Sequence, residues 1–150
     1  MVDTRDRALL RLLQRDATQP YAALGAAVGL SAGAVHERVR KLRERAVIRR
    51  TTVDVDPAEV GRGVLAFVLV RAASWIGDES VGEALAGIAA IEEAHVVAGD
   101  ASLLLKVRTA TPGDLQSVLR EVYQLDGVTS TEAIVALDTF FDRPGDPGDA

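Results

Sequence analysis

Val28-Gly29-Leu30-Ser31-Ala32-Gly33-Ala34-Val35-His36-Glu37-Arg38-Val39-Arg40-Lys41-Leu42-Arg43-Glu44-Arg45 is the stretch on which the fold of this chain turns. Gly29 supplies the left-handed residue that closes a helix, and Leu30 can fill the corner after it. Ser31 is a strong N-cap for the next helix. On that helix Val35, Val39 and Leu42 recur at i, i+4 and i+7 and define a core face. Gly33, Ala34, Glu37, Arg38 and Lys41 are left outside, with His36 and Arg40 beside them. Upstream, Pro20 suits a first helical turn, and Tyr21, Leu24 and Val28 repeat at helical spacing. Asp3 or Thr4 can cap an earlier helix that carries Leu9, Leu10, Leu12 and Leu13 and ends near Asp16-Ala17-Thr18. The front of the chain therefore reads as three helices, the last two joined as a helix-turn-helix.

A helix that is small at its start and basic later fits a DNA groove. The small residues allow backbone approach to the groove floor, and Arg38 or Lys41 can reach guanine edges or phosphates. His36 reads better as a surface residue or phosphate contact than as a base reader. Beyond the helix, Val47 to Asp56 is rich in β-branched residues and reads as extended, with Arg49 and Arg50 placed for the flanking backbone. The expected DNA-contacting set is Ser31, Gly33, Ala34, His36, Glu37, Arg38, Arg40, Lys41, Arg49 and Arg50. A plain three-helix bundle with a solvated basic face is the competing reading. The turn, the caps, the core face and the one-sided basicity together weigh against it. Charge distribution agrees: residues 1–62 hold twelve Lys/Arg against eight Asp/Glu, whereas residues 63–150 hold five against fourteen. Phosphates attract the front and repel the back, as two modules with different partners require.

The back two thirds alternate differently. Val64–Val70 reads as a strand, and Val81, Leu85 and Ile88 as a helix. Strands at 91–97 and 102–109 meet around Gly99-Asp100. Thr111-Pro112 opens a helix carrying Leu115, Val118, Leu119 and Val122. Gly127 precedes a last strand over 128–140. This β-α-β-β-α-β order is ferredoxin-like, so the fold class is α+β. The boundaries follow: a helix-turn-helix domain over 1–50, an extended hinge over 51–63, a ferredoxin-like domain over 64–141, and a mobile tail over 142–150 rich in Pro, Gly and Asp. Several strands read as apolar on both faces although two helices cover only one. A second copy of the chain is the expected cover, giving a homodimer by sheet-on-sheet packing. A two-fold dimer also presents two recognition helices to successive major grooves, about 34 Å apart or a multiple of that.

Composition narrows the alternatives. With no cysteine among 150 residues, disulfides and thiolate chemistry are excluded. The first residues resemble no signal peptide, and the longest apolar run is far short of a membrane span, so a cytoplasmic protein without membrane contact is expected. Gly61, Gly63 and Ala66 satisfy GxGxxA, but this precedes a strand rather than following one, and a dinucleotide site is rejected. An enzyme on a ferredoxin-like scaffold would need a base, nucleophile or metal set. The only histidines, His36 and His95, fall in different modules. Glu92 and Glu93, as strand neighbours, should point to opposite faces. No catalytic residue, metal or cofactor is expected.

By now the chain resembles the Lrp/AsnC family, the leucine-responsive or feast/famine transcription regulators. The resemblance rests on Asp3-Thr4-Arg5-Asp6-Arg7-Ala8-Leu9-Leu10, on Val28-Gly29-Leu30-Ser31, on Val35 to Leu42, on Val55-Asp56-Pro57 with Gly61, and on Ala94-His95-Val96-Val97-Ala98-Gly99-Asp100. It implies a winged-type helix-turn-helix, a C-terminal effector module, dimers that associate further to octamers, and an amino acid bound where dimers meet. The implied effector site gathers Ala98, Gly99, Asp100, Ala101 and Ser102 with Thr131 and Ala133 from the last strand. Three positions depart from the family pattern. Ser102 stands where a second Asp is common, Ala133 where a second Thr is usual, and Ala46 where a Gly precedes the wing. The first two strip polar groups from the implied site. They point to an apolar or unusual amino acid, or to the alternative of an architectural DNA-binding protein that ignores ligands. Trp75 is expected to wall a pocket or to pack in the oligomer. A nucleoid-associated regulator is the reading that results.

Overall fold

Asp3 starts α1 (Thr4–Arg15) with a reciprocal cap. Its carboxylate accepts the Asp6 N–H at 2.8 Å, and the Asp6 carboxylate accepts the Asp3 N–H at 3.2 Å. Two helix-end amides that no intrahelical carbonyl can reach are thereby satisfied. The structure is a computed structural model and describes residues 2–148. Pro20 precedes α2 (Tyr21–Val28), which ends at Gly29 with φ 69°. Ser31 caps α3 (Ala32–Glu44), its Oγ accepting the Ala34 N–H at 3.2 Å. Leu9, Leu24, Val35 and Val39 are fully buried between the three helices, ringed by Leu12, Leu13, Tyr21, Val28, Leu30 and Ile48. Each such burial contributes about 1.5–3 kcal/mol.

After α3 the chain turns through Ala46, whose φ of 54° is left-handed, and the Val47 and Ile48 N–H groups both donate to the Leu42 carbonyl. The extended segment expected over 47–56 forms no strand; it leaves α3 through these turns and continues without a ladder.

The second unit builds β1 (Val64–Ala72), α4 (Glu79–Ala86), β2 (Ile91–Val96), β3 (Leu103–Thr109), α5 (Pro112–Tyr123) and β4 (Val128–Val135). The sheet order is β2-β3-β1-β4, with every neighbouring pair antiparallel, which is the ferredoxin-like arrangement that the element order predicts. Ala66, Val68 and Val70 of β1 and Leu103, Leu105 and Val107 of β3 form a core with Leu85 of α4 and Leu115, Val118 and Val122 of α5. β4 stops at Val135, short of the expected Phe140.

The other sheet face is apolar only in its centre. Register places Phe67 of β1 between Lys106 of β3 and Ile134 of β4. Around Phe67 and Ile134, half-exposed, lie Leu65 and Leu69. Toward β2 the face is charged: Arg108 donates to Glu92 at 2.9 Å, and Lys106 pairs with Glu93 at 3.3 Å and Glu92 at 3.8 Å. Glu92 and Glu93 therefore share one face, contrary to the strand-alternation expectation. The reason is a register shift between Ile91 and Glu93, which inserts an extra residue and breaks the period of two. Lys106 approaches both carboxylates, and Arg108 holds Glu92.

The chain divides into two compact units. One runs to Asp54 and takes in the chain from Phe141 onward; the other is Val55–Phe140. Residues 145–148, in the segment expected to be a mobile tail, are instead hydrogen-bonded to α1. Asp149 and Ala150 of that tail lie outside the described residues.

Candidate functional site

α3 presents its outer face opposite Val35, Val39 and Leu42, which are at most 1% exposed. Gly33, Glu37, Arg40 and Glu44 follow one another along that face at helical spacing, flanked by His36 and Lys41. Arg40 lies at its centre and is clasped by Glu37 (Nη2 to Oε1, 2.7 Å) and by Glu44. Lys41 approaches the same Glu37 carboxylate at 3.3 Å. Hydrogen bonds from Arg40 and then Lys41 hold the Glu37 carboxyl down at about 2, and the Glu37 contact raises the Arg40 guanidinium further above its usual value. These ion pairs are solvent-exposed and exchangeable, so phosphates can replace the carboxylates. Ser31, Gly33 and Ala34 form the narrow leading end of the helix. His36 meets the Tyr21 ring of α2 edge-on, with centroids 5.6 Å apart. Arg49 and Arg50 are exposed on the chain beyond α3.

Arg38 does not join this face. Its Nη1 donates to Asp3 Oδ2 at 2.6 Å and to Asp6 Oδ1 at 2.7 Å, and its side chain is 30% exposed. Bonds to Asp3 first, then Asp6, raise the Arg38 guanidinium above its usual value, while Asp3 is lowered mainly by the Asp6 backbone N–H and then by Arg38. The residue expected to read guanine is thus engaged in fixing α3 against the start of α1. Lys41, the other residue expected to reach bases, lies on the outer face with Arg40.

Gly25 is a functional position that the sequence reading passes over. A Cβ there would meet the Leu30 carbonyl oxygen at 2.4 Å, and the Leu30 N–H donates to the Gly25 carbonyl at 2.8 Å. The corner between α2 and α3 closes only around a bare backbone. A glycine inside a helix costs about 1 kcal/mol relative to alanine, and that cost was the available signal.

In the second unit, Ala98 to Ser102 form the β2–β3 turn, closed by the Val97 N–H donating to the Ser102 carbonyl at 3.0 Å. Gly99 has φ 143°, and nothing lies within 4 Å of where its Cβ would be. The Ser102 N–H donates to the Val70 carbonyl at 2.8 Å, and Val70 pairs on its other side with Thr131. The turn and Thr131 thus flank the same end of β1, two strand spacings or about 10 Å apart. Ala133 lies one step further in, against Val68, and packs on the core. Trp75 follows β1 at this same end. It is 71% exposed, and its ring covers Gly77, where a Cβ would come within 2.4 Å of Cζ2.

Comparison with known proteins fits both units. A family model described as the AsnC-type helix-turn-helix domain matches residues 2–43, and one described as the Lrp/AsnC ligand binding domain matches residues 65–146. The chain belongs to the Lrp/AsnC family. Among curated relatives, the regulatory protein AsnC of Haemophilus influenzae is 35% identical over 91% of each chain. The HTH-type transcriptional regulator FL11 of Pyrococcus horikoshii is 33% identical over 92% of this chain and 91% of its own. Among solved structures, E. coli AsnC superposes with a TM-score of 0.89 at 28% identity, covering 98% of this chain and 99% of that one. A feast or famine regulatory protein of M. tuberculosis, complexed with L-methionine, gives 0.88 at 31% identity, covering 98% and 100%. This Lrp/AsnC chain is accordingly a DNA-binding transcriptional regulator of the helix-turn-helix type, and its relatives are regulators, not enzymes. Among the described residues no helix is long and apolar enough to cross a membrane.

Proposed function

We propose that this regulator reads its operator through the outer face of α3 and that an amino acid adjusts its affinity. Ser31, Gly33 and Ala34 approach the groove floor, Arg40 and Lys41 contact base edges or phosphates, and His36, Arg49 and Arg50 meet the flanking backbone. Glu37 is the internal competitor of the phosphates for Arg40 and Lys41. Arg38 serves by holding the helix in place. The single observation that carries this reading is the outer face itself: narrow at one end, carrying Arg40 and Lys41 in exposed, exchangeable ion pairs along its middle, and backed by a fully buried core.

The effector is taken at the end of the sheet where Ala98, Gly99, Asp100, Ala101 and Ser102 approach Thr131. A backbone turn with an acidic neighbour suits an amino acid's carboxylate and ammonium groups. The L-methionine complex of the M. tuberculosis relative supports an amino acid as the ligand class. Ser102 and Ala133 leave few polar groups for the ligand's side chain and favour an apolar one; they also sustain the alternative of a ligand-blind architectural protein. The chain acts as a homodimer joined through the Phe67–Ile134 sheet face, with dimers assembling to an octamer, in the cytoplasm on the nucleoid. Effector binding shifts the equilibrium between assemblies and changes DNA affinity by the difference in its binding to them.

The test is titration of the protein onto the DNA upstream of its own gene at fixed moderate salt, with and without the twenty amino acids. A displaced binding curve is the expected result. Tight binding with no displacement would replace this reading with the architectural one.

A further inference from the structure

The sequence Pro144-Gly145-Asp146-Pro147-Gly148-Asp149 repeats the tripeptide Pro-Gly-Asp, a composition that ordinarily marks a mobile end. In the structure residues 145–148 of this stretch meet a matching surface. Arg7, Arg11 and Gln14 recur at i, i+4 and i+7 along α1 and form one stripe. Gln14 Nε2 donates to the Gly145 carbonyl at 2.9 Å, and Arg11 Nη2 donates to the Gly148 carbonyl at 2.8 Å. Arg7 Nη1 donates to the Pro147 carbonyl, and Arg11 Nε reaches the Asp146 carboxylate at 3.3 Å. Three of the four acceptors are main-chain carbonyls, so the stripe recognises peptide backbone rather than a side-chain sequence.

The tail's own residues shape it for this. Asp146 also accepts the Gly148 N–H at 2.9 Å, closing a small turn whose φ Pro147 pre-sets. Gly148 sits at φ +78°, and a Cβ there would stand 3.2 Å from Arg7 Nη1. The Gly148 N–H, with Arg11 after it, holds the Asp146 carboxyl below its usual range. Arg7 Nε, buried here, has no hydrogen-bond partner, so the cover is close rather than incidental.

We infer that the polar stripe of α1 is a docking surface for an acidic, glycine-containing peptide turn, and that its occupant is the chain's own segment 145–148. The consequence is mechanical. The chain passes between the two units at Asp54–Val55 and again at Phe140–Phe141, and the docked tail anchors the second passage to the first helix of the DNA-binding unit. The inference stands on hydrogen bonding within one unit and does not depend on which effector, if any, is bound.

Hydrogen exchange along α1 tests it in three proteins: the full chain, a chain ending at Arg143, and the full-length Arg11→Ala/Gln14→Ala variant. Exchange in α1 should quicken by about fivefold or more in each altered protein, since loss of even one ordinary hydrogen bond entails about that much. Combining both changes should add nothing further, because they remove the same contact. A synthetic Pro144–Ala150 peptide at millimolar concentration should slow exchange again in the chain ending at Arg143, and should fail to do so when Arg11 and Gln14 are also replaced. Unchanged exchange after truncation, or strictly additive effects, would overturn the strap. Recovery of protection on mixing the truncated chain with the Arg11→Ala/Gln14→Ala chain would move the tail onto a second copy and overturn the intrachain assignment.

Discussion

Arg38 shows how far a single guanidinium's role depends on partners remote in sequence. Asp3 and Asp6, 35 and 32 residues upstream, both accept from its Nη1. Asp6 is only 7% exposed, so removing the cation strands a buried carboxylate. Arg38→Ala should therefore destabilise the helical unit by about 1–3 kcal/mol, the usual cost of an unsatisfied buried polar group, read as a lower melting temperature. Discrimination between operators, measured where both proteins are folded, should stay close to that of the parent. Lost discrimination with intact stability would return Arg38 to base reading. Helical periodicity placed this residue outside the core face and could not show its partners on α1, since the wheel of one helix carries no information about the next. Gly25 was hidden for the same reason: its value lies in a carbonyl five residues on, across a corner.

At the scale of elements, local signals were legible and cross-strand ones were not. The caps at Asp3, Ser31 and Thr111, the left-handed Gly29 and the order of helices and strands follow from neighbours within four residues. The shared face of Glu92 and Glu93 depends on a bulge that only pairing with β3 produces. Helix α3 combines both kinds of information, because its acids and bases are local but their purpose is not. Glu37 is depressed from 4.5 to about 2 by Arg40 and Lys41. A carboxylate lowered on folding contributes stability that is fully present above its unfolded value and is lost as pH falls toward the folded one. The Glu37 contribution should disappear between about pH 4.5 and 2, and Glu37→Gln should flatten the unfolding curve in that window. At neutral pH the same substitution releases Lys41 from Glu37 and leaves Arg40 with Glu44, making both cations more available to phosphates. It should tighten DNA binding at low salt by about two- to fivefold, the worth of an exposed ion pair. Weaker binding would mean that Glu37 itself accepts from a base.

For the whole molecule, the pattern of covered and uncovered surface sets what can assemble. The sequence reading took several strands as apolar on both faces; the open face proves apolar only around Phe67 and Ile134, and is ion-paired along β3 and β2 and between Arg71 of β1 and Glu132 of β4. Phe67, 38% exposed, sits at the apolar centre. Phe67→Glu should leave the monomer folded while raising the dimer dissociation constant by about thirtyfold or more, the loss typical of a central anchor residue. Sedimentation analysis measures this, and an undisturbed dimer would move the interface elsewhere. The tail was illegible at this scale, since Pro-Gly-Asp composition describes the free chain and is silent about a waiting stripe of donors. Trp75 has a different kind of consequence. It is the only indole in the chain, largely in contact with water, and its ring is seated over Gly77 at the end of the sheet that carries Gly99 and Thr131. The protein thus contains a built-in optical reporter: its emission comes from one location, and anything that dries that end of the sheet must recolour it.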